Sequence, residues 1–264
     1  GRRTVRADRV VLSAGAIGTP QLLMLSGMGP AAALKKLGIQ VVVEAPEVGQ
    51  NLQDHLAFPC IFELREPTPH PSVLPESGLF LRSDTKSPFP ALQYHVHGAA
   101  PWQKPDLPLD PQRCMVQGIL TRPRSRGRLW LTSADPASPP ALDPAYLSAA
   151  EDRQLLVESV EWCRACAATS AWGSLLTQEA FPLVSGPELL EMVAAWTDPM
   201  GHLACTARMG TDEASVVDPR LRVRGVEGLS VADASVLPDM ICGILQALCF
   251  AIGHKASQLI LEQR

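Results

Sequence analysis

The sequence lacks a long apolar run, an excess of positive charge and a high content of charged residues. No apolar run approaches the roughly 18 residues that a membrane-spanning helix needs, and the longest, Ile241–Ile252, is interrupted by Gly243 and Gln246. The net charge of −4 gives no general attraction to nucleic acids or anionic membranes. With 46% hydrophobic and 19% charged residues, the composition is that of a globular protein.

The sequence also lacks a dense cysteine framework. Its seven cysteines are an odd number and are widely scattered, which favours a reducing compartment, so we expect a cytoplasmic protein. No signal peptide is recognised, and the chain opens on Gly1 without an initiator methionine. We therefore expect a fragment or a processed chain.

The most informative absence is that of the G-x-G-x-x-G hexapeptide, which a dinucleotide-binding unit carries between a strand and a helix. Even so, the first 44 residues alternate strands and helices, which predicts an α/β unit. The predicted elements are a buried strand at Arg9–Leu12, a helix capped by Thr19 and opening at Pro20, a helix at Ala31–Leu37 and a buried strand at Ile39–Glu44. Ala14 and Gly15 follow the first strand and let a backbone or a cofactor approach closely.

The central region has a different pattern. Short strand-like runs separated by proline-rich turns predict an antiparallel sheet, with one of the runs at residues 127–133. Helices are predicted at Ala150–Ala168 and Pro187–Trp196. His95 and His97 are two residues apart on one predicted strand and so share a face. They line a substrate cavity or face solvent, and since no third ligand is suggested, we expect no metal site.

Three stretches resemble the glucose–methanol–choline (GMC) oxidoreductases. SAGAIGTPQLLMLSGMGP resembles the second signature of the family, and VGQNLQDH, ending at His55, resembles the segment that follows it. The tail resembles the family pattern of a histidine, C-T-x-R-M-G and V-V-D-P-x-L-R-V-x-G-V-x-G-L-x-V-x-D-A-S-V-x-P. The resemblance covers both ends of the chain and, more loosely, the middle.

The resemblance implies a fold of mixed α/β and α+β class. Residues 1–55 and 200–264 would form the C-terminal part of a GMC-type FAD-binding α/β domain. Residues 56–199 would form an inserted substrate-binding domain with an antiparallel sheet. Because the FAD fingerprint is absent, the resemblance implies a partner polypeptide that binds FAD, either a separate subunit or the other product of a cleaved chain.

The resemblance places His202 at the catalytic histidine of the family. A histidine suits removal of a hydroxyl proton during alcohol oxidation, because its ordinary pKa lies near neutrality. The alternative is a structural histidine that caps a turn.

The family supplies an Asn or His eleven residues after the Asp of D-A-S, and this position is Ile244 here. An isoleucine side chain can neither donate nor accept a hydrogen bond. Losing one such bond costs roughly 1–3 kcal/mol, or about 5- to 150-fold in rate. The substitution is compatible with weakened alcohol oxidation, with a different substrate, or with a nearly inactive subunit.

By resemblance, Asp233 and Ala234 lie near the ribityl–pyrophosphate chain of FAD, and Gln246 offers its backbone to the isoalloxazine ring. A helix starting near Gln246 would direct free N–H groups and its positive dipole end outward, which suits a reduced flavin. The alternative is an ordinary strand–turn–helix packing unit.

Together these features predict part of an FAD-dependent oxidoreductase that oxidises an alcohol or a related small metabolite by hydride transfer to flavin N5, with His202 as base. Two alternatives are a GMC-type lyase, in which the flavin takes no redox part, and a non-catalytic subunit that completes a partner flavoenzyme.

Overall fold

The computed structural model describes residues 3–69, 74–82, 87–99 and 110–262. The chain divides into two compact units. The first unit comprises residues 1–54, 126–146 and 201–264, and the second comprises residues 55–125 and 147–200. Residues 126–146, which the sequence analysis assigned to the substrate-binding domain, belong to the first unit. Whether the two units are the functional domains stays a prediction.

Among its described residues, the first unit contains three short two-stranded sheets and three helices. Numbered in chain order, its strands are β1 (Val10–Leu12), β2 (Met28–Gly29), β3 (Val43–Glu44), β8 (Arg128–Trp130), β9 (Ala141–Asp143) and β12 (Leu229–Val231). Its helices are α1 (Gly15–Leu25), α2 (Ala31–Lys36) and α6 (Leu245–Leu261), with a 3-10 turn at Ala234–Val236. β1 pairs with β12 and β2 with β3 in parallel, whereas β8 and β9 are antiparallel.

The second unit contains one larger sheet. Its strands are β4 (Leu56–Leu64), β5 (Ser77–Leu81), β6 (Leu92–His97), β7 (Arg113–Leu120), β10 (Leu176–Phe181) and β11 (Asp198–Pro199). They pair antiparallel in the order β10-β4-β7-β6-β5, with β11 also on β4. Its helices are α3 (Ala150–Ala167), α4 (Ser170–Gly173) and α5 (Gly186–Trp196). The antiparallel sheet and the two longer helices agree with the sequence patterns.

The sheet of the second unit packs closely against α3. Leu156, Val160 and Cys163 of this helix are fully buried. The Tyr94 and Trp162 rings lie 4.4 Å apart, centroid to centroid. A Cβ at Gly118 would lie 2.5 Å from Ser159 Oγ, so only glycine allows the helix to approach β7 this closely.

The strand expected at residues 127–133 lies elsewhere. It forms β8, which pairs with β9 in the first unit and not with the antiparallel sheet. Its sequence has the alternation of an antiparallel strand, and that pattern does not specify which partner the strand pairs with.

The two strands predicted to be buried in the first unit are instead short and largely exposed. β1 has only β12 as a partner among the described residues, and its Val10 and Val11 are 47% and 41% exposed. Of the run Ile39–Glu44, only the last two residues form a strand, and Val42 is 63% exposed. Apolar runs of this kind are typical of parallel strands covered on both faces, and the described chain does not supply that cover.

Helix α1 begins five residues earlier than predicted, at Gly15 and not at Pro20. Asp233 Oδ2, which follows β12, accepts hydrogen bonds from the Gly15 N–H at 3.0 Å and from the Thr19 hydroxyl at 2.6 Å. A distant carboxylate therefore caps the helix, and the local Thr-Pro pattern is misleading.

Pro20 consequently lies inside α1, where proline has no N–H to donate to the carbonyl four residues earlier. That carbonyl belongs to Ala16, and it accepts a hydrogen bond from the fully buried Thr206 hydroxyl at 2.6 Å. Thr206, within the C-T-x-R-M-G motif, thus replaces the missing helix bond.

No helix in the part of the chain that the structure describes combines the length and apolarity required to cross a bilayer. Helix α6 buries Leu245, Ile252, Ala256 and Leu259 along one face, as the spacing of an amphipathic helix requires. Its opposite side exposes Phe250, which is 72% accessible.

We predict that Thr206→Val destabilises the protein by about 1–3 kcal/mol, because the buried Ala16 carbonyl loses its donor while the side-chain shape is kept. Pro20→Ala supplies an N–H to the same carbonyl, so the cost of Thr206→Val should shrink in that background. Thermal unfolding of the four proteins of this double-mutant cycle measures the coupling. Equal costs in both backgrounds would contradict the compensation.

Candidate active site

The segment Asn51–Asp54 holds together loops that are distant in sequence. The Asn51 side-chain amide donates to the Pro238 carbonyl at 3.1 Å. Gln53 donates from Nε2 to Asn51 Oδ1 at 3.1 Å and accepts from the Met240 N–H at Oε1 at 3.2 Å. These bonds fix the loop that leads to Ile244 and to the start of α6.

Asp54 forms the second part of this arrangement, and only 3% of its surface is exposed. Its Oδ1 accepts from the His202 backbone N–H at 2.6 Å, and its Oδ2 accepts from the Tyr146 hydroxyl at 2.8 Å. The adjacent Gln53 pairs with Ala204 through backbone hydrogen bonds in both directions. The buried Asp54 carboxylate therefore holds the His202 loop at its backbone through a short, charge-assisted hydrogen bond.

The environment of His202 favours its neutral form. Burial lowers the pKa of the imidazole below its ordinary value, and the negative charge of Asp54 opposes this shift. Burial and the hydrogen bond to Asp54 raise the pKa of Tyr146, so its hydroxyl stays a donor at physiological pH. A partly buried, neutral histidine can accept a proton, which is the property that a general base requires.

Ile244 lies at the N-cap of α6, and its side chain is 42% exposed. It provides no side-chain cap, and the first turn of α6 contains no acidic residue. Gln246 is the second residue of the helix and is exposed. The positive end of α6 thus carries no compensating charge from its own first turn.

The carboxylate of Asp233 already has three donors. Besides Gly15 and Thr19 at Oδ2, its Oδ1 accepts from the Ser235 N–H at 2.8 Å. This supports the ordinary packing interpretation for the Asp233 side chain, which joins β12 to α1. The placement of the Asp233 and Ala234 backbone beside the cofactor stays a prediction.

Three features near this turn fit a bound polar group. Among the described residues, the fully buried Ser235 hydroxyl has no hydrogen-bond partner. A Cβ at Gly15, which has φ +77°, or at Gly243 would meet nothing within 4 Å. Ala14 is exposed beside Gly15. Open space over small residues, an unpaired hydroxyl and an uncapped helix N-terminus are compatible with an anionic cofactor.

His95 and His97 lie on β6 in the second unit and are 9% and 6% exposed. Gln93 Nε2 and His95 Nε2 are 2.8 Å apart, and the two imidazole centroids are 6.3 Å apart. Both histidines point away from the sheet face that carries Tyr94 and α3, because alternate residues of a strand face opposite sides. Their role in lining a substrate cavity stays a prediction.

The first unit contains most of the predicted site residues, namely Ala14, Gly15, His202, Asp233, Ala234, Ile244 and Gln246. The catalytic and cofactor roles of these residues stay predictions. Asp54 and Tyr146 were not among the predicted site residues, although Asp54 belongs to the VGQNLQDH segment. The five polar side chains of that segment were the available signal, whereas only the structure shows the contact of Tyr146 with Asp54.

Comparison with known proteins identifies the family. Two family models, both described as GMC oxidoreductase, match residues 1–57 and residues 123–253. The alcohol dehydrogenase [acceptor] of Pseudomonas putida is 33% identical over 99% of this chain and 52% of its own length. The chain spans about half the length of the curated relatives it matches.

Solved structures of similar proteins agree with this family assignment. Pyridoxine 4-oxidase from Mesorbium loti superposes with a TM-score of 0.87 at 29% identity, covering 96% of this chain and 51% of that one. A formate oxidase from Aspergillus oryzae RIB40, studied for its FAD modification, has a TM-score of 0.86 at 26% identity, covering 97% of this chain and 54% of that one. The predicted family and fold class are confirmed.

We predict that Ile244→Asn raises the stability of the protein by about 1 kcal/mol, because an asparagine at an N-cap accepts a bond from the first turn of the helix. Ile244→Ala is the control, since it removes the exposed apolar side chain and adds no acceptor. Thermal unfolding compares the two variants. Equal stability would mean that the N–H groups of α6 already have other partners.

Proposed function

This chain belongs to the GMC oxidoreductase family, and we propose that it supplies the base and the substrate-binding sheet of an FAD-dependent enzyme that oxidises an alcohol or a related small metabolite. The observation that carries this proposal is the His202–Asp54–Tyr146 arrangement, which keeps a neutral histidine in a defined loop. The similarity to an alcohol dehydrogenase supports the reaction class.

The cofactor is FAD, as the family match and the FAD-containing formate oxidase support. In this chain its neighbours would be Gly15, Ala234, the Ser235 hydroxyl and the first N–H groups of α6. When bound, FAD supplies the hydride acceptor at its N5 atom. The first backbone N–H groups of α6, which receive no side-chain cap from Ile244, would stabilise negative charge on the flavin without reorganisation.

His202 would take the hydroxyl proton of the substrate. Its lowered pKa keeps the ring neutral down to a lower pH than a free histidine would allow, so the proton acceptor is available near neutrality. The Ile244 side chain cannot form a hydrogen bond, so of these two residues only His202 would form one with the substrate oxygen. Substrates bound mainly by apolar contacts suit this arrangement.

Oxidation is favoured over the lyase alternative, because the similar proteins described above carry dehydrogenase and oxidase names. A redox reaction bleaches the absorbance of the flavin when substrate is added without oxygen. A lyase would turn over its substrate with no bleaching.

We further propose that a polypeptide carrying the G-x-G-x-x-G fingerprint completes the enzyme, either as a separate subunit or as another part of the same protein. Its docking surface would include β1 with the exposed Val10 and Val11, and the exposed Phe250 of α6. A groove of about 910 Å³ lies between β1, residues 218–230 and the end of α6. Parallel strands rarely remain uncovered, which supports a covering partner here.

Replacing His202 by Gln should lower kcat/KM of the assembled enzyme by about 10²- to 10⁴-fold, because the general base is lost. The wild-type kcat/KM should fall as the pH drops through the pKa of His202, which lies below the ordinary value of about 6.5. Anaerobic flavin bleaching in a stopped-flow instrument measures the step directly.

His254→Gln is the matched control, since His254 is an exposed residue of α6 and should have no effect. Unchanged bleaching in His202→Gln would remove the base assignment and favour the non-catalytic subunit alternative.

Produced alone, residues 1–264 should not retain FAD, because the fingerprint that binds its pyrophosphate is absent. Phe250→Glu in the assembled protein should weaken assembly, whereas Leu175→Glu, at an exposed apolar residue of the second unit, should not. Size-exclusion chromatography with mass spectrometry and flavin absorbance measures both results. A yellow protein made from this chain alone would refute the proposal.

A further inference from the structure

Asp54 lies in a position to control the candidate base. It is buried, it was not predicted as a site residue, and it accepts a hydrogen bond directly from the backbone N–H of His202. A carboxylate that accepts a hydrogen bond from a backbone N–H orients the peptide, and its charge acts on the attached side chain over a short, poorly solvated distance.

We propose that Asp54 is a positioning residue for His202, and that Tyr146 holds its carboxylate in place. This inference rests on the proposed role of His202 as base. Asp54 would act in two separable ways, one through its hydrogen bond to the His202 N–H and the other through its negative charge. Tyr146 fixes the carboxylate from the opposite oxygen, so the bond to His202 keeps a single geometry.

Several charged and titratable groups of the first unit lie close to this loop. Asp54 is the group whose charge raises the pKa of His202. Tyr146 is protonated at physiological pH, and burial raises the pKa of Cys205 to about 12, so neither carries a charge there. Arg126 and Asp239, whose charges act in opposite directions on the pKa of Cys205, form an ion pair of 3.0 Å.

The chain also offers a substitution that separates charge from geometry. In Asp54→Asn, the amide oxygen can still accept the His202 N–H, and the amide nitrogen can donate to the Tyr146 oxygen. The side chain keeps its shape and loses its charge. Asp54→Ala removes both the bond and the charge, and Tyr146→Phe keeps the charge and removes one bond.

The test follows the pKa of His202 in the assembled flavoenzyme by NMR of ¹³Cε1-labelled histidine, with the resonance assigned from its loss in His202→Gln and distinguished from His55 by His55→Gln. Asp54→Asn should shift this pKa downward, because a neighbouring negative charge favours the protonated imidazole. The acid limb of the kcat/KM profile should move to lower pH by the same amount, with kcat near wild type at high pH.

Asp54→Ala should also lower kcat by about 10²-fold at every pH, since the base loses its fixed position. Tyr146→Phe should lower kcat without lowering the pKa of His202, and it keeps the proposal testable if the Asp54 variants do not fold.

An unchanged His202 pKa in Asp54→Asn, or an equal downward shift in Tyr146→Phe, would overturn the charge role. A kcat in Asp54→Ala equal to that in Asp54→Asn would overturn the positioning role. A shifted NMR pKa with an unmoved rate profile would instead refute His202 as the base and leave the electrostatic link to Asp54 intact.

Discussion

The hydrogen bonds that the side chains of Asn51, Gln53 and Asp54 donate or accept are the constraint on which the candidate site depends. Three stretches that are far apart in sequence meet at these residues, namely the one with Tyr146, the loop of His202 and the loop that leads into α6. Buried polar groups are costly when they lack partners, so such a network is stable only when it is complete. The same bonds that satisfy these groups therefore also fix the position of the candidate base.

Several residues of the family-like motifs have structural tasks. Thr206 compensates for Pro20, and the Asp233 carboxylate caps α1. Asp218 accepts from the backbone N–H groups of Arg220 and Arg222, which closes the turn of the V-V-D-P-x-L-R segment. These motifs thus specify how the tail joins the first helix.

Local patterns predicted local elements well. The helices expected at residues 150–168 and 187–196 differ from α3 and α5 by one residue at one end, because their periodicity and end signals are contained in the segment itself. The start of α1 and the partner of β8 were predicted wrongly. Asp233 determines where α1 starts and β9 determines how β8 pairs. Both lie outside the segment whose pattern was used for the prediction.

By itself, the sequence determined the family, the fold class and the absence of the G-x-G-x-x-G fingerprint from these residues, since each is carried by residue types at short spacing. Only the tertiary structure decided that Asp54 accepts hydrogen bonds from the His202 backbone and from Tyr146. It also decided that the Asp233 carboxylate accepts hydrogen bonds from α1. It also showed that Ile244 is the N-cap of α6. These relations depend on contacts between side chains of segments that are far apart in sequence. The spacing of residues along the chain does not specify such contacts.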